Sequence, residues 1–359
     1  MRVLTILGNR PQFVKAAAVS KRLRRRHEEV VVHSGQHYDD ELSGVFFRDL
    51  DLPAPDRELG IGSGPNGWQV SAIMAALQPV AQEVQPDLAM VYGDTNTTLA
   101  GALACARLDL PVAHVESGMR SFDRSMPEER NRILADHLAA LRLCSTDTAV
   151  QNLEAEGVTQ GVKLVGDVMA DVTLMSLPLA EQRSEVLERL GLGDASYALV
   201  TAHRAGNVDL AESLSKLVDI LLALPLPAVF PVHPRTRGRL EETGAQARLE
   251  ARGDLLLTPP LGYMDFLKLL RHADVVLTDS GGIQKEAYLL RVPCITLRDR
   301  TEWVETVELG WNELVGLDKQ RVLEALKSRR EPPEHPELYG GGCAGEQVVQ
   351  TIEEWADRR

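Results

Sequence analysis

Short apolar runs alternate with helix-like stretches along almost the whole chain, and most of these runs end in a turn carrying charged or small polar residues. Val3 to Leu7 precedes a helical stretch from Pro11 to about Arg26. Val30-Val31-Val32 follows, then helices near 40–50 and 66–84. Runs at 88–92 and 112–115 flank a helix of small residues from Leu99 to Leu108. The pattern pauses around Gly166-Asp167-Val168-Met169 and a polar helix near 179–190. It resumes with Tyr197–Thr201, Ala228–Val232, Leu255–Leu257, Val275–Leu277 and Cys294–Leu297. Strands that alternate with helices in this way form parallel sheets covered by helices on both faces. Two βα series predict an α/β protein of two doubly wound, Rossmann-like domains facing a cleft. The division expected is 1–168 with 344–359 and 169–343. The terminal helix, about Ala344 to Ala356, follows Gly340-Gly341-Gly342 and is expected to return to the first domain.

The length of 359 residues suits two domains. A formal net charge of -13 argues against a nucleic-acid or membrane-surface partner, which would require a basic face. It leaves room for a small anionic ligand in a locally basic site. No apolar run reaches membrane-spanning length, and Met1-Arg2-Val3-Leu4-Thr5 lacks a secretory layout, so a cytoplasmic protein is expected. Cys105, Cys144, Cys294 and Cys343 form no CxxC pair, and three of the four sit among apolar residues as reduced packing groups. No metal site and no cofactor are expected.

In open α/β sheets, ligands bind beyond the carboxyl ends of the strands, and here those ends carry ionisable groups. Gly8-Asn9-Arg10-Pro11-Gln12-Phe13-Val14-Lys15 follows the first strand, with Pro11 suited to a first helical turn and Arg10 and Lys15 suited to an anion. A capped helix with a solvated arginine is the plainer reading. Asp279-Ser280-Gly281-Gly282-Ile283-Gln284-Lys285-Glu286 opens a helix in the second series. There, consecutive glycines let backbone N–H groups approach a diphosphate, and Glu286 is suited to ribose hydroxyls. A tight βα turn is the alternative. His203-Arg204 and His233-Pro234-Arg235 sit at equivalent strand ends and favour an anion-facing surface, whereas His114, ending a buried strand, reads as a satisfied core histidine.

Asp94, Glu116 and Glu128 are the candidates for proton transfer, because neighbouring carboxylates raise one another's pKa into a usable range. Asp94 could instead cap the helix that follows it. Glu129 reads as the solvated or ion-paired neighbour of Glu128.

Together these segments resemble the bacterial non-hydrolysing UDP-N-acetylglucosamine 2-epimerases. The resemblance runs in order through Gly8-Asn9-Arg10-Pro11 with Lys15, Gly93-Asp94-Thr95, His114-Val115-Glu116-Ser117-Gly118-Met119-Arg120, Pro127-Glu128-Glu129 with Asn131-Arg132, Thr201-Ala202-His203-Arg204, Pro231-Val232-His233-Pro234 and Thr278-Asp279-Ser280-Gly281-Gly282-Ile283-Gln284. It implies a GT-B-like fold, a homodimer, and interconversion of UDP-N-acetylglucosamine with UDP-N-acetylmannosamine. The implied route eliminates UDP across C1–C2 to a 2-acetamidoglucal and then adds it back. It implies Asp94, Glu116 and Glu128 as acid/base groups and His203 as stabiliser of the leaving diphosphate. Arg10, Lys15, Arg132, His233, Ser280, Gly281, Gly282 and Glu286 are implied as UDP-sugar ligands.

Two segments depart from the pattern. Gly35-Gln36-His37-Tyr38-Asp39-Asp40-Glu41 lacks the arginine that relatives use for activation by substrate, and Trp303-Val304 stands where many relatives have Arg-Pro. Both variants also resemble a branch acting on UDP-2,3-diacetamido-2,3-dideoxyglucuronate, so the sugar stays open between the two. A hydrolysing relative, a GT-B glycosyltransferase and a non-catalytic sugar-nucleotide sensor complete the alternatives.

Overall fold

The computed structural model describes residues 1–35, 54–328, 332 and 334–358, apart from the side chain of Arg10. The helix expected near 40–50 and the variant segment from Gln36 to Glu41 lie outside the described residues. The chain divides into two compact units, Met1–Met175 with Glu337–Arg359, and Ser176–Pro336.

The first unit contains β1 (Arg2–Leu7), α1 (Arg10–Leu23), β2 (Glu28–His33), β3 (Arg57–Glu58), α2 (Asn66–Val84), β4 (Leu88–Tyr92), α3 (Asn96–Ala106), β5 (Val112–Ser117), α4 (Pro127–Leu138), β6 (Leu141–Cys144), α5 (Asp147–Ala155) and β7 (Val162–Leu164). Its seven strands are ordered β3-β2-β1-β4-β5-β6-β7 and pair in parallel. The central strand β4 is wholly buried, because a parallel sheet is covered on both faces. The small residues of α3 let it lie close on the sheet. A Cβ added at Gly101 would come within 2.9 Å of Val91 Cγ1 and 3.2 Å of Ile6 Cδ1.

Helix α6 (Val168–Arg183) begins just after Gly166-Asp167, well ahead of the polar helix expected near 179–190, and leads into the second unit. That unit contains β8 (Ala198–Thr201), α7 (Ala211–Ala223), β9 (Ala228–Pro231), α8 (Pro234–Glu242), β10 (Leu255–Thr258), α9 (Tyr263–His272), β11 (Val275–Thr278), α10 (Gly281–Leu289), β12 (Cys294–Thr296), β13 (Asn312–Leu314) and α11 (Lys319–Ser328), with a few short helical turns besides. Its six strands are ordered β10-β9-β8-β11-β12-β13, again in parallel.

Helix α12 (Ala344–Ala356) completes the first unit. The buried carboxylate of Asp171 accepts the backbone N–H groups of Ala344 and Gly345, each at 2.9 Å, which satisfies two of the donors that open a helix. Gly345 lies against the Ala18 carbonyl of α1, where a side chain would collide. Arg26 binds Glu353 at 3.0 Å and Glu346 at 3.2 Å along the same seam.

Both sheets have the doubly wound order, in which the direction of strand addition reverses once. The reversal lies between β1 and β4 in the first unit and between β8 and β11 in the second. Ligands bind at such switch points, outside the carboxyl ends of the strands.

Candidate active site

At the first switch point, the turns after β1 and β4 are locked together by one side chain. Gln12 is buried; its Oε1 accepts Gly8 N–H at 2.7 Å, and its Nε2 donates to Tyr92 O at 2.7 Å, Thr98 Oγ1 at 2.9 Å and Thr95 Oγ1 at 3.0 Å. Asn9 caps α1 by accepting Gln12 N–H at 3.2 Å. Thr95, and not Asp94, caps α3, in a reciprocal capping box with Thr98. Asp94 is thereby released from the capping role that the sequence allowed it.

The carboxylates around this turn are held by cations. Lys15, on the second turn of α1, forms an ion pair with Glu116 at the end of β5. Gly93, with φ 63, leaves room for that pair. A Cβ there would lie 3.1 Å from Lys15 Nζ and 3.3 Å from Glu116 Oε2. Glu116 itself has φ 70, in the left-handed region that a non-glycine residue rarely occupies. It is the extra residue of a β-bulge, since Val115 pairs with Leu143 and Ser117 with Cys144. Such bulges re-aim a side chain beside functional sites. Asp94 forms an ion pair with Arg132 of α4, and Asn131 donates to the Asp94 carbonyl at 3.0 Å.

The two adjacent glutamates of α4 have opposite fates. Glu129 is buried, accepting Ser121 N–H, Ser121 Oγ–H and Phe122 N–H at 2.9 Å each, with Arg132 at 3.3 Å. The solvated alternative for Glu129 is therefore corrected; it is the ion-paired partner that anchors the loop before α4. Glu128 is exposed and has no hydrogen bond among the described residues, which leaves its carboxylate available to a ligand.

Behind this surface lies a buried polar cluster. His114 donates from Nε2 to the Gly93 carbonyl and meets Asp136 through Nδ1, each at 2.7 Å. Asp136 also receives Gly118 N–H at 3.1 Å and Arg120 Nη1 at 2.7 Å. Burial pushes the Asp136 carboxyl up, but His114 and Arg120 outweigh it and hold the group below the usual carboxylate range.

At the second switch point, Asp279 follows β11 and is fully buried. It accepts His203 N–H at 3.0 Å, Arg204 N–H at 2.9 Å and Asn207 Nδ2–H at 3.1 Å, so it fixes the turn that follows β8. The His203 and His233 rings stack with centroids 5.3 Å apart. His233 Nδ1 accepts Arg235 N–H at 3.2 Å and caps α8. Its pKa lies below the usual histidine range, first from lost solvation of the ring and then from the neighbouring His203 and Arg235. The residue still keeps an exposed face. With Nδ1 accepting, Nε2 carries the ring hydrogen and is a hydrogen-bond donor suited to an anion.

Ser280 occupies the N-cap position of α10 without a side-chain cap bond, followed by Gly281 and Gly282 in its first turn. A Cβ on Gly282 would meet only Ser280 Oγ, at 3.9 Å, so the helix start is sterically open. Glu286 lies one turn further on and is buried. Beside it, Lys285 places its ammonium 4.0 Å from the centre of the Trp303 ring, a cation–π contact made by the variant segment.

Among the described residues, no cluster of histidine, cysteine, aspartate or glutamate is arranged to hold a metal ion. No helix among them is long and apolar enough to cross a membrane. Cys105, Cys144 and Cys294 are buried, and burial pushes each thiol up to about 12.

Two doubly wound units with ionisable groups at both switch points define a GT-B-like α/β protein. Residues 21–353 match the family model of UDP-N-acetylglucosamine 2-epimerase. A UDP-N-acetylglucosamine 2-epimerase homolog from Methanococcus maripaludis is 44% identical over 98% of this chain and 99% of its own length. The UDP-2,3-diacetamido-2,3-dideoxy-D-glucuronate 2-epimerase of Pseudomonas aeruginosa is 39% identical over 98% and 99%. The crystal structure of Methanocaldococcus jannaschii UDP-GlcNAc 2-epimerase in complex with UDP-GlcNAc and UDP superposes with a TM-score of 0.90 at 38% identity, covering 99% of this chain and 100% of that one. The chain belongs to the UDP-N-acetylglucosamine 2-epimerase family.

Proposed function

We propose that the protein interconverts UDP-N-acetylglucosamine and UDP-N-acetylmannosamine without net hydrolysis. The observation that carries this reading is the pair of cation-held carboxylates, Glu116 on Lys15 and Asp94 on Arg132, at the first switch point of a chain in this family.

The C2 hydrogen of the sugar is not α to a carbonyl, so simple deprotonation at C2 is difficult. Elimination avoids the problem. A carboxylate takes the C2 proton, the C1–C2 double bond forms, and the C1–O electron pair leaves with UDP. In the return step, a carboxylic acid delivers a proton to the opposite face of C2, and a diphosphate oxygen closes on C1. Asp94, Glu116 and Glu128 are the groups for these transfers. Lys15 and Arg132 hold two of them in place through ion pairs. His203, stacked on the donor His233, is suited to the charge growing on the diphosphate, where oriented donors are most effective. Ser280, Gly281 and Gly282 at the open start of α10 suit the phosphates, and Glu286 the ribose. Arg10 stands at the first position of α1 and serves the same anion. The same reading includes a homodimer working in the cytoplasm on a free nucleotide sugar.

The 39% identity to the diacetamido-glucuronate enzyme supports a second substrate. The deciding experiment follows the sugar C2 proton by NMR in deuterated water with each of the two UDP-sugars. Deuterium at C2 with UDP-N-acetylglucosamine, and no accumulation of free UDP, is the expected result. Exchange with the diacetamido-glucuronate alone would transfer the reading to that sugar. Exchange with neither would overturn it.

A further inference from the structure

Every side-chain polar atom of the His114–Asp136 pair is committed, either to its partner or to the turns that carry the acid/base candidates, and both side chains are fully buried. His114 Nε2 faces the Gly93 carbonyl at 2.7 Å, and a carbonyl can only accept, so this nitrogen carries a hydrogen. Gly93 immediately precedes Asp94. On the other side, Asp136 Oδ1 meets His114 Nδ1 at 2.7 Å, while Oδ2 takes Gly118 N–H at 3.1 Å and Arg120 Nη1 at 2.7 Å. Gly118 and Arg120 lie just past the bulge at Glu116. Ser117 Oγ closes the same loop on the His114 carbonyl at 2.8 Å. Arg120 is in turn held by Glu156 at 2.6 and 2.9 Å and by its own neighbour's carbonyl, Met119 O, at 2.7 Å.

We propose that Asp136 and His114 form a positioning device that sets the spacing of Asp94 and Glu116. One buried carboxylate reaches the β4 turn through the imidazole and the β5 turn directly. The backbone is left-handed at Gly93, whose carbonyl the imidazole reaches, and at Glu116, two residues before the Gly118 N–H that the carboxylate accepts. Neither residue touches the sugar; both act through the two carboxylates. Proton transfer is steep in distance, and displacement of a reacting group by about 1 Å lowers turnover by about 10²-fold. This proposal rests on the epimerase reading.

The test uses the full-length chain and the variants H114Q, H114F and D136N. Turnover and C2 exchange are measured with whichever UDP-sugar the wild type uses, and UDP affinity is measured by calorimetry. H114Q and D136N are expected to lower kcat by about 10–100-fold, and H114F by more, with KM and UDP affinity within about twofold of wild type. Partial recovery in H114Q relative to H114F is expected, because glutamine keeps a donor. Wild-type kcat in H114F and D136N overturns the proposal, and so does a fall in kcat matched by an equal loss of UDP affinity. The wild type also decides the matter without a variant. With 15N-labelled histidine, the His114 Nε2 hydrogen is expected as a solvent-protected signal; a bare Nε2 overturns the proposal. A wild-type chain that exchanges no C2 proton from either sugar counts against the epimerase reading instead.

Discussion

Lys15 and Glu116 are ion-paired across the first sheet, one on the second turn of the first helix and the other on the bulge that ends β5. Both side chains are mostly buried, 15% and 12% exposed, so the pair is screened little by solvent. Gly93 lies beside the pair, and a Cβ there would crowd both charged groups. The arrangement fixes a carboxylate beside an ammonium at a strand end.

Removing the cation should disable that carboxylate and also weaken the hold on the UDP-sugar. Lys15→Met is expected to lower kcat by about 10²-fold, with a weaker UDP affinity. Steady-state kinetics and UDP calorimetry on the same preparation check both halves. A variant with wild-type turnover would remove Lys15 from the machinery.

Gln12 should matter to stability as much as to activity. Its replacement by methionine keeps the volume but removes the acceptor for Gly8 N–H and the donor to two threonine hydroxyls. The expected loss is about 2 kcal/mol, mainly the unsatisfied Gly8 N–H. Urea denaturation measures it as a lower midpoint at constant slope.

Asp279→Ala strips the acceptor from three N–H groups in the second unit. Destabilisation of about 2–4 kcal/mol is expected, together with a fall in turnover, because the His203 backbone loses its anchor. Thermal unfolding followed alongside C2 exchange would show both.

Stability should fall with acid through His233. Its folded pKa is depressed, so the unfolded chain binds a proton first as pH drops through about 6.5. The contribution is present above that pH and is lost as pH falls towards the folded value. His233→Asn is expected to flatten the melting-temperature profile between pH 5 and about 6.5, measured by scanning fluorimetry. An unchanged slope would place the pH dependence elsewhere.

Particular elements show what was legible from residue order. The strands β1, β4, β8, β9 and β11 are continuous apolar runs bounded by turn residues, and they stand out because both their faces are buried. The strands β3, β6, β7 and β13 carry no such signal. Arg57–Glu58 is too short and too polar to signal a strand, and Val162–Leu164 carries exposed residues at an edge. Gln12, Asp136 and Arg120 carry no signal as a set for another reason: most of their partners lie 16 to 86 residues away. A buried glutamine inside a helix has no local signature. Glu128 and Glu129 show the same limit, since adjacent identical side chains on one helix differ only in what the fold brings to each.

Sequence by itself determined the two βα series, the strand ends that carry ionisable residues, and the glycine-opened helix start at Gly281. These follow from periodicity and turn chemistry, which act over a few neighbouring residues. Tertiary structure alone decided which cation holds which carboxylate, that Glu116 sits on a bulge with a left-handed backbone, and that Asp136 and His114 link the turns after β4 and β5. Coulomb and hydrogen-bond partners are chosen by distance in space. In a parallel sheet, strands adjacent in space are separated in sequence by a whole crossover, so those partners are joined only when the sheet closes.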